Sequence, residues 1–342
     1  MFTKRRHESL KNPVVGGLAK AGAICCLALL PIAGATAANE ARARWERMNR
    51  IRNDKFDLVL PQAMRENGID MWIVMIREAN YEPLWPDLGH GYTGDKGFYV
   101  FTDRGADWRG GRIERAALGV SGPFLEGGGS YDVMASADEL AAFVAERDPE
   151  VIGLNMSREI GAADGLSHTG YLEIAETLGE SFASRLVSAE KLVSDFRSQR
   201  VASEIAAFAE AGEMSREIAE RAFSNEVITP GITTLADVAW WMVDQVQRRR
   251  LDLSFGMPSV YVTGPDGIEA ISNDRVIQPG DLLMIDWGVG FLNLYTDMKR
   301  IAYVLRAGET EAPEGLRNAF KRGLEARAAR VRQAYAQSDR GS

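Results

Sequence analysis

The chain has 342 residues, 46% hydrophobic, 26% charged and 8% aromatic, a composition that excludes collagen, wholesale disorder and a multi-span membrane protein. The length suits two domains, each able to bury its own core. With 40 Lys+Arg against 48 Asp+Glu the formal net charge is -8, and nucleic acid, which requires a basic footprint, is excluded as the main partner.

Residues 1–37 read as a secretory signal peptide. Lys4, Arg5, Arg6, Lys11 and Lys20 make a basic start, residues 21–33 are apolar but too short to span a bilayer, and Ala35-Thr36-Ala37 is a small-residue cleavage site. The mature protein is therefore expected to be secreted or periplasmic, with no membrane association once the leader is cut. Cleavage removes five positive charges and one negative charge, taking the net charge from -8 to -12. It also removes Cys25 and Cys26, the two cysteines of the chain, so no disulfide is expected despite an oxidising compartment. His90 and His168 are the histidines that remain.

Residues 38–195 read as a first domain. A charged, mostly exposed helix is expected over 41–55. Pro61 suits the first turn of a helix reaching Asn67, which Gly68 closes as a left-handed cap. The apolar run Met71–Ile76 predicts a buried strand. Strands are also expected at 98–102, 113–120 and 151–154, and helices at 137–145 and 171–178. Interleaved strands and helices imply a central sheet with helices packed on it.

The texture changes near Asp195, and residues 196–342 read as a second domain. A helix spans 203–223, and Pro230-Gly231 breaks the chain. Thr234 opens the next helix with Asp237 as its capping-box partner. Strands follow at 260–263, 282–287 and 295–305. The last helix begins after Pro313, with Leu316, Phe320, Leu324, Val331 and Tyr335 along one stripe. The fold class is α+β.

The stretch Gly280–Arg300 carries the chemistry. Asp286 lies in one apolar strand and Asp297 in the next. A hairpin turning at Phe291-Leu292 would set the two directly opposite, with Cβ atoms about 4.5–5.5 Å apart. Two such carboxylates repel, and burial adds a desolvation cost. Either one takes a proton or a cation sits between them. Hard divalent ions suit carboxylate oxygens, and one carboxylate can bridge a metal pair.

Here the sequence resembles a known family. Gly280-Asp281, Asp286-Trp287-Gly288 and Asp297-Met298-Lys299-Arg300 resemble the first metal-binding segment of the pita-bread metallopeptidases. That M24 family includes methionine aminopeptidase, aminopeptidase P and prolidase, and shares its fold with creatinase. Ser203-Glu204-Ile205 and Thr229-Pro230-Gly231-Ile232-Thr233 resemble the opening of that domain. Residues 38–195 resemble the creatinase-type N-terminal α/β domain. The resemblance implies that Asp286 chelates one divalent metal ion and Asp297 bridges two (manganese, zinc or cobalt), and that the substrate is the N-terminal bond of a peptide, often before proline.

Three departures shape the expectation. No histidine follows His168, and Glu309, Glu311, Glu314 and Glu325 come too early to match the later ligands of the family. The segment 255–279 has no histidine to contact substrate. The usual Asp-x-Thr-Arg reads Asp297-Met298-Lys299-Arg300, with a lysine in place of a hydroxyl beside the metals. The expectation is an Xaa-Pro-type metallopeptidase with an incomplete pita-bread domain, inactive as this truncated chain. The alternative is a non-catalytic relative that binds peptides or forms a homodimer. His90 reads as an exposed loop residue rather than a substrate contact, and His168 as a helix N-terminal residue. Trp85, Trp240 and Trp241 read as core or interface aromatics, and Arg300 as either a partner of Asp297 or a solvated side chain.

Overall fold

The computed structural model describes residues 33–80, 82–270 and 273–338. The expected leader falls largely on residues 1–32 and lies outside the described residues. The chain divides into two compact units, Met1–Arg42 and Ala43–Ser342. Helix α1 (Ala33–Leu58) crosses that division, and no described helix is long and apolar enough to cross a membrane.

In the larger unit, α2 (Leu60–Glu66) precedes β1 (Met71–Ile76), the one-turn helix α3 (Trp85–Leu88), β2 (Tyr92–Asp103) and β3 (Ile113–Ser121). A second one-turn helix, α4 (Pro123–Glu126), leads to β4 (Val133–Ala135), α5 (Leu140–Arg147), β5 (Ile152–Leu154), α6 (His168–Ala183), β6 (Leu186–Ser188) and α7 (Glu190–Ser198). These strands form one six-stranded mixed sheet in the order β4-β3-β2-β1-β5-β6. Strand β1 is central and buried along its whole length. Trp72, Val74 and Ile76 join the core with Phe56, Leu60, Leu192 and Phe196, while Met71, Ile73 and Met75 meet Leu140, Phe143 and Ile174 on the other face. Burial on both faces explains why this strand reads as a continuous apolar run rather than an alternating one.

The second half opens with α8 (Ala202–Ala222) and α9 (Leu235–Arg248). Thr234 Oγ1 accepts from Asp237 N at 3.1 Å and Asp237 Oδ2 accepts from Thr234 N at 2.8 Å, which is the expected capping box. Strands β7 (Asp252–Leu253), β8 (Ser259–Gly264), β9 (Gly267–Ala270), β10 (Leu282–Trp287), β11 (Val289–Phe291), β12 (Leu294–Tyr295) and β13 (Met298–Tyr303) follow, and α10 (Glu314–Ser338) comes last. They make a four-stranded sheet, β13-β10-β8-β9, and a three-stranded sheet, β12-β11-β7. Val260, Val262, Leu283, Ile285 and Trp287 pack against Ala211, Ile218, Val238 and Met242 of the two helices. The alternate residues of β8 and β10 are only half buried, as a sheet covered on one side requires.

One expectation needs correction. The helix over 41–55 is not mostly exposed: Asn49, Arg52 and Lys55 of α1 are buried. Lys55 Nζ donates to Gln199 O at 2.6 Å and lies 3.4 Å from Glu204, and Arg52 donates to the carbonyls of Pro86 and Asp87. Long cationic side chains can be buried when oxygens receive each donor, which composition alone does not reveal. Of the aromatics expected in a core or an interface, Trp241 packs partly buried against the helix–sheet core, and Trp240, 60% exposed, lies outside it.

Glu82, in the segment between β1 and α3, is a carboxyl only 1% exposed. Its Oε1 accepts from Leu84 N and Asn155 Nδ2, both at 3.1 Å, and Asn155 Oδ1 accepts from Trp72 Nε1 at 2.8 Å. Its Oε2 has no partner. Burial pushes the carboxyl up to about 7, against the two hydrogen bonds that lower it. A raised pKa means that the folded state holds this proton more tightly than the unfolded one. The associated stability is complete below the ordinary carboxylate pKa and is lost as pH rises through about 7. Glu82→Gln should therefore flatten the pH dependence, retaining on the order of 2–3 kcal/mol more than the parent between pH 5 and pH 8 in urea unfolding. Parallel curves for the two proteins would contradict this.

Candidate metal centre

Asp286, Asp297 and Lys299 meet where the β10–β13 hairpin changes sheets. Strands β10 and β13 pair in the four-stranded sheet, and β11 and β12 continue the same hairpin in the three-stranded one. The crossing lies at Gly288 on one arm and at Thr296-Asp297 on the other. An ideal Cβ on Gly288 would lie 1.8 Å from Thr296 O, so only glycine allows this approach.

A buried polar chain holds the crossing. Thr296 is 4% exposed. Its Oγ1 accepts from Val289 N at 2.9 Å and lies 2.7 Å from Ser215 Oγ, which donates to Ala211 O in α8 at 2.9 Å. Either hydroxyl can donate across the Ser215–Thr296 contact, and Thr296 Oγ1 also lies 3.4 Å from Val289 O. At the hairpin tip, the Phe291 ring lies 5.1 Å from the guanidinium of Arg44 and 5.2 Å from that of Arg47. Asn293 Nδ2 donates to Asp87 Oδ1 at 2.9 Å. These contacts fasten the hairpin to α1 and α3.

The register differs from the expected one. The turn centres on Leu292-Asn293, both with positive φ (51° and 58°), so Phe291 pairs with Leu294 and Gly290 with Tyr295. Lys299, not Asp297, therefore stands directly opposite Asp286. Two positive-φ residues fit the right-handed twist of a tight hairpin, but leucine rarely adopts that conformation, and its presence concealed the turn. Asp297 lies two residues before Lys299, in the break between β12 and β13 rather than within a strand. It remains on the same face as Asp286, as its diagonal neighbour. The side chain of Asp286 is 27% exposed and that of Asp297 is 72% exposed. The expectation that both are enclosed in apolar strands fails for Asp297.

A cation does stand between the carboxylates, and it is a side chain. Lys299 Nζ donates to Asp286 Oδ1 at 2.9 Å and lies 3.7 Å from Asp297 Oδ1. The hydrogen bond to Asp286, with the negative charges of both aspartates, raises the Lys299 ammonium above its usual range. On the other side of Asp286 its ladder partner is Ser259. Among the described residues no group of three or more His, Cys, Asp or Glu side chains could hold a metal. A dinuclear centre needs more anionic and imidazole donors than this, and an ammonium repels the ions it would hold. The residues present do not fit two divalent metals. Arg300 donates to Lys299 O at 2.9 Å, and its Cα faces Ile285. His90 is exposed in the loop after α3, its ring 5.5 Å from Trp85, and His168 begins α6 with Ser167 as the cap. The roles of Thr296 and Ser215 had no signal in the sequence, whereas that of Lys299 had one, in the Asp-Met-Lys-Arg tetrad.

Replacing Gly288 by Ala should cost about 2–3 kcal/mol in denaturant unfolding, because the added carbon meets a backbone oxygen that cannot move without opening the crossing. Unchanged stability would refute the close approach.

Residues 206–337 match the profile of Metallopeptidase family M24. No curated protein matches the sequence. Among solved structures, X-Pro aminopeptidase from Thermotoga maritima MSB8 superposes with a TM-score of 0.54 at 16% identity, over 78% of this chain and 70% of that one. A histidine-to-alanine variant of Escherichia coli aminopeptidase P gives 0.52 at 15% identity, over 75% of this chain and 62% of that one. At such identities the likeness speaks to the fold, an α+β arrangement shared with pita-bread enzymes. The profile match thus covers residues 206–337, and the fold likeness extends over most of the chain.

Proposed function

We propose that this protein is an M24 relative of the Xaa-Pro peptidase branch that does not hydrolyse peptides as the polypeptide of this sequence. The family match and the fold likeness to an X-Pro aminopeptidase and to an aminopeptidase P variant support the peptide-directed part of this reading. The observation that carries the rest is the Asp286–Lys299–Asp297 arrangement, an ammonium where the family resemblance calls for two divalent ions. Manganese, zinc and cobalt are the ions that the resemblance implies, and this donor set suits none of them as a pair. No hydrolytic step through a metal is therefore assigned to these residues.

The expressed chain, incubated with X-Pro peptides and added manganese, should release no N-terminal residue above the uncatalysed background. Metal-dependent release that is abolished by Asp297→Ala would contradict the proposal.

A second reading, a peptide-binding or self-associating protein on the same scaffold, is favoured by one observation. Ile301 on the open sheet face is 54% exposed, and Phe320, Leu324 and Val331 of α10 are 62%, 49% and 48% exposed. Phe320, Leu324 and Val331 share one stripe of α10, and an exposed apolar stripe of this kind suits a partner surface. Analytical ultracentrifugation should show a concentration-dependent homodimer under this reading, and a strict monomer would count against it.

A further inference from the structure

We propose that Lys299 is the resident cation of this chain, holding the place between Asp286 and Asp297 against divalent metal ions. The inference rests on the reading that the aspartate pair marks the family's metal position. It does not depend on whether the protein turns over peptides.

The register makes the lysine unavoidable at this place. Asp286 and Lys299 are direct ladder partners, so their side chains leave the sheet side by side on one face. Asp297 joins them diagonally on that face. The ammonium lies 2.9 Å from Asp286 Oδ1 and 3.7 Å from Asp297 Oδ1, the oxygens that an ion between the two carboxylates would use. A divalent ion binds carboxylate oxygens at about 2.0–2.6 Å, so its position and that of the ammonium overlap. Metal entry would require Lys299 to swing away and leave its charge beside a second, larger positive charge.

The competition favours the lysine for two reasons. Its ammonium is tethered, so it competes at an effective concentration of roughly millimolar or more, whereas a free ion must be supplied from solution. The remaining surroundings also give a metal little in return. The other ladder neighbour of Asp286 is Ser259, a neutral hydroxyl donor, and no third carboxylate or imidazole joins the group among the described residues. Two carboxylates already shared with an ammonium fall short of the four to six ligands that such an ion takes.

The departure from the family tetrad thus has a specific physical consequence. Where the usual hydroxyl leaves the carboxylates free for metals, Lys299 neutralises one of their two charges from within the fold. The aspartate pair is retained as an ion-paired feature of the sheet.

The test is a manganese titration of the full chain followed by water-proton relaxation enhancement. The wild type is compared with Lys299→Thr, Lys299→Arg and the double variant Lys299→Thr/Asp297→Asn. Thermal melting of each establishes that it is folded, as expected for a lysine whose side chain is 56% exposed. Lys299→Thr should bind manganese at least tenfold more tightly than the wild type. Lys299→Arg, which keeps the charge, should behave as the wild type, and the double variant should lose the gain. Equal affinity in the wild type and Lys299→Thr overturns the proposal, whether both bind or neither does. So does Lys299→Arg binding as tightly as Lys299→Thr. Peptide hydrolysis is not the readout, so this inference and the proposed function fail separately.

Discussion

The arrangement of the candidate site depends on one backbone approach. Thr296 O occupies the space that any side chain at residue 288 would need. Because Gly288 concedes that space, the hairpin passes from the four-stranded sheet to the three-stranded one without losing register. The polar chain from Val289 N through Thr296 and Ser215 to Ala211 O then ties the crossing to α8. The chemistry follows from that geometry. Asp286 stays in the ladder, half enclosed, Asp297 is displaced into the break, and Lys299 is set opposite Asp286.

Electrostatics then decides what the pair of carboxylates becomes. Two negative charges on one sheet face require compensation, and the nearest source is the cross-strand lysine. The same device recurs in this acidic chain. Lys55 is buried against Gln199 O and Glu204, and Arg147 lies between Glu114 and the Phe143 ring, each cation enclosed by acceptors from its own fold. Glu82 is the opposite case. With no cation bonded to it and one oxygen unpartnered, burial raises its pKa instead. Of the buried carboxylates, Glu114 and Glu204 are paired with side-chain cations, and Glu82 is pushed toward the neutral form.

Much of the fold was legible from local pattern. The run Met71–Ile76 gave the central strand, Pro61 and Gly68 bracketed α2, and Thr234 with Asp237 marked the start of α9. These signals are local, so they survive without knowledge of tertiary contacts. The site was half legible. Asp286 and Asp297 do share a face, because an error of one residue in the turn shifts the pairing by two and preserves the side-chain alternation. The identity of the residue opposite Asp286 was not legible, since it depended on Leu292 adopting a left-handed conformation that leucine seldom takes. The burial of Lys55 and Arg52 was hidden for a different reason. It is set by carbonyls from segments far along the chain, which no window of sequence contains.

An ammonium, not a metal, stands between the two aspartates. A crystal of the full chain soaked in manganese, with diffraction recorded near the manganese absorption edge, tests it directly. Lys299 Nζ is expected within hydrogen-bonding distance of Asp286, with no anomalous peak between Asp286 and Asp297. One or two strong anomalous peaks bridging these carboxylates, with Lys299 turned away, would contradict it.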